Sequence, residues 1–525
     1  MKSRNLMPRI PSFLIIFLHL SHLSSHLVQC CTTKAAANCW QNDLPNGKIG
    51  LKTISECCAA CTNHTECTAF TLDKTKGGSS NTSLGNCYLK YNCELLAPAS
   101  STTTIAGVLS SKDFPSIYPP TWWMKPYTVS KNIATQFGAK CLNGAAPQYL
   151  VRRNSSSNKW VLFLEGGGWC YGSTSAATIA SCAGRGGFNP PAVSAMDYGF
   201  TMDYGGILGS NATTNPDFYT WNAVFIHYCD GASFGSNRVQ PIVVQNKTTG
   251  DAAHMWMRGR SNFDAVIHDL LLNNNMSKAT EVILSGGSAG GLAVYYNLDH
   301  LAKDLLPSTV QRVTGFPDAG FFMDADNYVK DFQGADPVWN ITGSSGTNKN
   351  CLKAYSDNEK WKCLLAPFIL EHIETPIYIM NSAYDAWQLG NNKVGCFNVE
   401  NTTCKNDSAV LMYGQALKNR VKNGLRNKTI RFPTATKSGA YIDSCYVHEQ
   451  NVNYCSAQSM PNCVGWSPLE SGSIKWDYTT AIESLTPQEA FSKYYFSQGL
   501  SSQSVLIDSE EVQKNPTCIY KGVPK

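Results

Sequence analysis

A serine held between glycines constrains this chain more than anything else in it. Val282-Ile283-Leu284 is a short apolar run that reads as a buried strand, and Leu292-Ala293-Val294-Tyr295-Tyr296-Asn297-Leu298 reads as a helix. Between them, Gly286-Gly287-Ser288-Ala289-Gly290 matches G-x-S-x-G. A nucleophile elbow needs this order: a strand, a tight turn that strains the serine, small neighbours that let the turn approach the sheet, and a helix behind it. The new helix N-terminus favours negative charge as it develops. A glycine-rich turn with an incidental serine is the plainer alternative. The strand before and helix after Ser288 argue against it.

A serine nucleophile needs a base, a group that orients the base, and donors for an oxyanion. On an elbow of this type the chain order is Ser, then Asp or Glu, then His. Ile377-Tyr378-Ile379-Met380 is a late strand with Asp385 just past its C-terminal end, where catalytic groups of open α/β sheets sit. Asp318, after the strand Arg312–Phe316, is the rival, and Asp385 is preferred. Among ten histidines, His448 alone both follows Asp385 and lies on a loop after a strand, Ala440-Tyr441-Ile442-Asp443. His268 and His300 fall on helices, and His227 precedes the serine. Trp160-Val161-Leu162-Phe163-Leu164 is an earlier strand, followed by Glu165-Gly166-Gly167-Gly168-Trp169-Cys170. Such a turn lets backbone N–H groups face a ligand, so the oxyanion donors are assigned to Gly168, Trp169 and Ala289. A phosphate-cradling loop fits less well, because no Lys-Ser/Thr follows and no second spaced glycine is present.

The chain of 525 residues has room for more than one domain, and its net charge of +5 is small. No concentrated basic patch points to nucleic acid. Lys2 and Arg4 precede Phe13-Leu14-Ile15-Ile16-Phe17-Leu18, too short a run to span a bilayer, so residues 1–30 read as a signal peptide cut after Cys30. Removing Cys30 from 21 cysteines leaves an even 20, as full pairing in an oxidising compartment requires. Ten Asn-x-Ser/Thr sequons, from Asn63 to Asn427, suit a secreted glycoprotein. No later segment reads as a membrane span.

Residues 31–110 are cysteine-dense. Ile54–Cys61 reads as a short helix opening at Ser55, and Ala69–Leu72, Asn86–Lys90 and Ile105–Leu109 as strands. Disulfides would staple so small a core. Zinc is disfavoured because the spacings are irregular and no histidine pair accompanies them. Phe114-Pro115-Ser116-Ile117-Tyr118-Pro119-Pro120 reads as a linker, placed at residues 111–120. From residue 121 to 525 strands alternate with helices, with strands at Tyr149–Arg152, Trp160–Leu164, Ala223–His227, Glu281–Leu284, Arg312–Phe316 and Ile377–Met380, and a helix at Phe263–Leu272. That alternation implies an α/β fold with a mainly parallel sheet flanked by helices.

Two resemblances follow from these residues. Glu56-Cys57-Cys58-Ala59-Ala60-Cys61, Cys67-Thr68-Ala69-Phe70 and Cys87-Tyr88-Leu89-Lys90 resemble a PAN/apple module. That resemblance implies a glycan- or protein-binding role without catalysis. The rest resembles the pectin acetylesterase family, whose animal branch includes the Notum carboxylesterases. The matching blocks are Leu164–Cys170, Met257-Arg258-Gly259, Leu284–Ala293, Asp318–Phe322, Asn381–Gln388 and Asp443–His448. The resemblance implies an α/β-hydrolase-like fold, a triad of Ser288, Asp385 and His448, no cofactor or metal, and an ester on an extracellular polymer as substrate. It also sets Asp318 in a block outside the triad. The glycine triplet before Trp169 looks more like the plant branch. Gly287 and Glu449 stand where plant members usually carry cysteine, so Cys445 is expected to pair with Cys455 or Cys463.

The expectation is a secreted, monomeric serine carboxylesterase that removes acetyl groups from a cell-wall or matrix polysaccharide through an acyl-enzyme. The small module would target it to a glycan or protein. One alternative is a Notum-like esterase that removes a lipid acyl group from a secreted protein. The other is a glycan-binding protein with an inactive hydrolase domain.

Overall fold

The computed structural model describes most of residues 31–109, together with 124–186, 205–394, 408–451 and 481–518 apart from short gaps. The expected signal peptide and linker lie outside the described residues. Two compact units form, one drawn mainly from residues before 121 and the other mainly from residues after it.

The smaller unit holds a five-stranded antiparallel sheet in the spatial order Cys31–Ala35, Thr104–Leu109, Ala69–Asp73, Gly85–Lys90, Asp43–Lys52. Its helix, Ile54–Thr62, opens one residue before the expected Ser55. The reason is a reciprocal cap: the Thr53 N–H and hydroxyl donate to Glu56 Oε2 at 2.8 and 2.9 Å, and the Glu56 N–H donates to Thr53 Oγ1 at 3.3 Å. A Cys57–Cys87 disulfide ties that helix to the sheet.

The larger unit is built on nine strands: β1 (Lys125–Thr128), β2 (Gln148–Arg152), β3 (Lys159–Leu164), β4 (Asn222–Ile226), β5 (Glu281–Gly287), β6 (Arg312–Asp318), β7 (Tyr378–Ser382), β8 (Gly439–Asp443) and β9 (Val505–Ile507). They lie in the order β1-β2-β4-β3-β5-β6-β7-β8-β9. The pairs β1·β2 and β2·β4 are antiparallel and the rest are parallel. Parallel neighbours need crossovers, and these supply helices α1 (Ser175–Arg185), α2 (Gly259–Asn273), α3 (Ala289–His300), α4 (Asp326–Trp339), α5 (Ser408–Arg431) and α6 (Pro487–Phe496).

Both faces of the sheet are covered, which explains the unbroken apolar runs. Along β3, Trp160, Leu162 and Leu164 enter one core with α2 and α3, while Val161 and Phe163 enter the other with Phe491, Tyr494 and Tyr495 of α6. On that second face, Phe316 and Phe491 stack with ring centres 3.8 Å apart.

The expected partner of Cys445 is corrected. Cys445 bonds Cys518, 73 residues away, and neither Cys455 nor Cys463. Strand β9 lies parallel against β8, so the chain beyond β9 returns to the C-terminal end of β8. Nearness in sequence did not reveal that return. Disulfides also join Cys141–Cys229, Cys170–Cys182 and Cys351–Cys363.

Candidate active site

The C-terminal ends of β3, β5, β7 and β8 open on one edge of the sheet. There β5 runs straight into α3 through one residue, Ser288, with φ 52° and ψ −121°. A non-glycine residue in such a conformation is strained, and the surroundings hold it there. The Ser288 N–H donates to the Asp318 carbonyl at 3.0 Å. The glycines either side permit close approach. A Cβ on Gly290 would fall 2.0 Å from the Leu164 carbonyl oxygen, and one on Gly286 would fall 2.4 Å from that of Gly290.

His448, five residues past β8, bridges the other two residues. Its Nε2 lies 2.9 Å from Ser288 Oγ and its Nδ1 lies 2.8 Å from Asp385 Oδ2. Asp385 is fully buried, and its other oxygen accepts the Gln388 N–H at 2.9 Å. A carboxylate so placed fixes the tautomer in which Nε2 is free to take the serine proton. The rings of Trp387 and Phe322 flank the imidazole at 6.0 and 6.5 Å.

The competing residues hold the framework. Asp318 is buried at the end of β6 and accepts the N–H groups of Gln450 and, at 2.7 Å, Asn451. It therefore anchors the chain just after His448. His227 Nδ1 lies 3.2 Å from Glu165, His300 sits between Asp264 and Asp304, and His268 packs on Phe137.

After β3, the Glu165–Trp169 turn passes over the serine. A Cβ on Gly166 would lie 3.1 Å from Ser288 Cβ and 2.8 Å from the Gly287 carbonyl. Gly167 and Gly168 have φ of 127° and 64°. Among the described residues, the N–H groups of Gly168, Trp169 and Ala289 donate to no protein acceptor. Ala289 directly follows Ser288, and Gly168 and Trp169 lie on the turn whose Gly166 packs against that serine, so these unpartnered donors are candidates for holding an oxyanion. Ser233 links the two contributing segments: its hydroxyl accepts the Trp169 indole N–H at 2.7 Å and donates to the Ala289 carbonyl at 2.7 Å.

The site is rich in buried charge. Burial alone would lower the His448 pKa. The charge and hydrogen bond of Asp385, with Glu449 and Asp318 nearby, outweigh it and raise the imidazole to about 9. Burial raises Asp318 and Glu449 to about 7 each. Glu449 was not singled out as a site residue from sequence, although its place beside His448 was a signal. It has φ 63°, and its Oε1 would be 2.9 Å from a Cβ on Gly166, so its carboxyl reaches from the histidine loop to the glycine turn.

Comparison with known proteins bears on this arrangement. The pectinacetylesterase family profile matches residues 124–519, and a PAN domain profile matches residues 42–112. Pectin acetylesterase 11 of Arabidopsis thaliana is 33% identical over 331 residues, covering 60% of this chain and 77% of that protein. The palmitoleoyl-protein carboxylesterase NOTUM of Schmidtea mediterranea is 26% identical over 340 residues, covering 62% of this chain and 58% of that one. The crystal structure of the Wnt deacylase Notum from Drosophila superposes with a TM-score of 0.56 at 21% identity, covering 76% of this chain and 99% of that chain. That last likeness speaks to fold, an α/β hydrolase.

Proposed function

The chain belongs to the pectinacetylesterase family of carboxylic ester hydrolases, and on that premise we propose that it removes acetyl groups from an extracellular polysaccharide. The observation that carries this reading is the single imidazole within hydrogen-bond distance of both Ser288 Oγ and Asp385 Oδ2.

His448 Nε2 takes the Ser288 proton as Oγ attacks the ester carbonyl. Asp385 stabilises the imidazolium, and the Gly168, Trp169 and Ala289 amides hold the oxyanion. The imidazolium then protonates the leaving sugar oxygen. Water, deprotonated by the same imidazole, attacks the acetyl-enzyme and releases acetate and free Ser288.

Acetyl is preferred to a long acyl chain because aromatic rings crowd the region beside the serine. Five rings, those of Tyr171, Phe322, Tyr328, Phe332 and Trp387, pack edge-on around Trp169 with centres 4.6 to 6.4 Å away. Phe322, Tyr328 and Phe332 are almost wholly buried, and on this reading a lipid tail would have to part the ring cluster. Export is supported by the disulfides, which persist in oxidising compartments. Among the described residues no helix is long and apolar enough to cross a membrane. The PAN domain is assigned to binding the polymer or a neighbouring protein.

Turnover of p-nitrophenyl acetate against p-nitrophenyl dodecanoate tests the proposal. We expect acetate to be strongly favoured and Ser288→Ala to abolish both activities. Preference for the long chain would move the assignment to lipid removal from a protein, as in the Notum relatives. Turnover that survives Ser288→Ala would remove the esterase mechanism.

A further inference from the structure

The donors on the glycine turn belong to two successive peptide groups. In a trans peptide the N–H and C=O point in opposite directions, so whatever grips the carbonyl aims the N–H. The peptide that carries the Gly168 N–H has the Gly167 carbonyl at its other side, and that oxygen accepts Arg185 Nη1 at 2.8 Å. The peptide that carries the Trp169 N–H has the Gly168 carbonyl, and that oxygen accepts the Tyr228 hydroxyl at 2.9 Å. Each of the two donor peptides is thus gripped from behind by a side chain from a distant part of the chain.

The two side chains brace each other. The Arg185 guanidinium lies over the Tyr228 ring, 4.9 Å from its centre. Arg185 ends α1, and Cys182, on the same helix, is disulfide-bonded to Cys170, the residue after Trp169. The turn and the helix that grips it are therefore covalently joined. Gly231, at φ 65°, makes the room: a Cβ there would fall 2.5 Å from Cys170 Sγ and 3.2 Å from Arg185 Cδ. The Tyr228 oxygen in turn accepts the Ser233 N–H at 2.9 Å.

We propose that Arg185 and Tyr228 are positioning residues for the oxyanion hole, aiming and polarising the Gly168 and Trp169 amides through the carbonyls behind them. Chained hydrogen bonds strengthen one another, and a guanidinium on a carbonyl draws electron density from the N–H across the same peptide. The effect is greatest when the ester oxygen carries full charge, so it acts on the transition state more than on the bound ester. Burial pushes the Tyr228 phenol well up, so it stays protonated and remains a donor.

This inference rests on the esterase reading, and the test separates the two. Wild type, Tyr228→Phe, Arg185→Met and Arg185→Lys are compared for kcat and KM on p-nitrophenyl acetate, and for the rate at which a fluorophosphonate labels Ser288. Loss of one direct oxyanion donor costs about 10²–10³ in kcat, so a grip one bond removed is expected to cost about tenfold in Tyr228→Phe and somewhat more in Arg185→Met. KM should stay within about twofold, phosphonate labelling should slow in step with kcat, and Arg185→Lys should recover part of the loss, as expected if the effect falls on the transition state. A merely structural role would lower thermal stability without that kcat-selective loss. If Arg185→Met does not fold, Tyr228→Phe, which removes one oxygen, decides alone. Unchanged kcat and labelling in Tyr228→Phe, with an active wild type, overturns the inference and leaves the esterase reading intact. A wild type that is neither labelled nor active overturns both.

Discussion

The two sides of the Ser288 hydroxyl are built from different materials. On the proton side stand His448, Asp385, Asp318 and Glu449, titratable groups packed where water is scarce. On the proposed anion side stand backbone amides at Gly168, Trp169 and Ala289, which do not titrate. The proton side is tuned by charge, through buried carboxylates that raise one imidazole. The anion side is tuned by geometry, through glycine conformations and gripped carbonyls. The difference implies that pH acts on one side alone, and that small shape changes act mainly on the other.

The strongest way to break this contrast is Asp385→Asn. The change leaves the shape and removes the charge, so the imidazole loses both its tautomer and the anion that stabilises it. A loss in kcat of about 10⁴ is expected, measured on p-nitrophenyl acetate, with little change in KM. A loss below about tenfold would mean that another carboxylate, with Asp318 the first suspect, performs the task. On the anion side the corresponding change is Gly168→Ala. Nothing lies within 4 Å of the new Cβ, so the only penalty is the left-handed backbone at φ 64°. That strain is worth about 1 kcal/mol, and if the turn relaxes to relieve it at the expense of the donors, kcat should fall about fivefold at every pH. A pH-dependent loss would break the division between the two sides.

Glu449→Gln acts more gently. Glu449 raises the His448 pKa, so its neutralisation should let the imidazole lose its proton at lower pH. The acid limb of kcat/KM should move down by about half a unit, an effect of one screened neighbouring charge. A limb that stays in place would mean that Glu449 does not sense the imidazole.

How much of this was legible beforehand follows the same division. That Ser288, Asp385 and His448 would meet was legible because elbow chemistry fixes their order and strand ends fix their address; their proposed roles await the tests above. The glycine turn was legible because Gly166-Gly167-Gly168 follows a buried strand. Arg185 and Tyr228 were not, since nothing local in a helix end or a strand end marks a grip on a carbonyl from another segment. Burial of Asp318 was equally hidden: its carboxyl meets Gln450 and Asn451, more than 130 positions later, only once β6 and β8 lie in one sheet. Cys518 was hidden for that reason too, because β9 brings it home.

Asp318 gives the smallest expected effect and the sharpest check on whether buried charge is present at all. Its carboxyl is held at about 7 by burial, against an ordinary 3.8. The folded protein therefore keeps a proton that the unfolded chain releases near pH 4. A raised carboxyl of this kind contributes stability that is complete below about pH 4 and is lost as pH rises to about 7. Asp318→Asn removes that loss while still offering an oxygen to the Gln450 and Asn451 amides. Relative to wild type, the variant's Tm should gain a few degrees between pH 5 and pH 8, measured in low-salt buffer. The wild type alone would not settle this, since His448 titrates beside Asp318 and favours its ionised form; the difference between the two proteins isolates the carboxyl. Parallel Tm curves across that range would mean that Asp318 is ionised throughout and that the proton side carries one more full negative charge than its burial suggests.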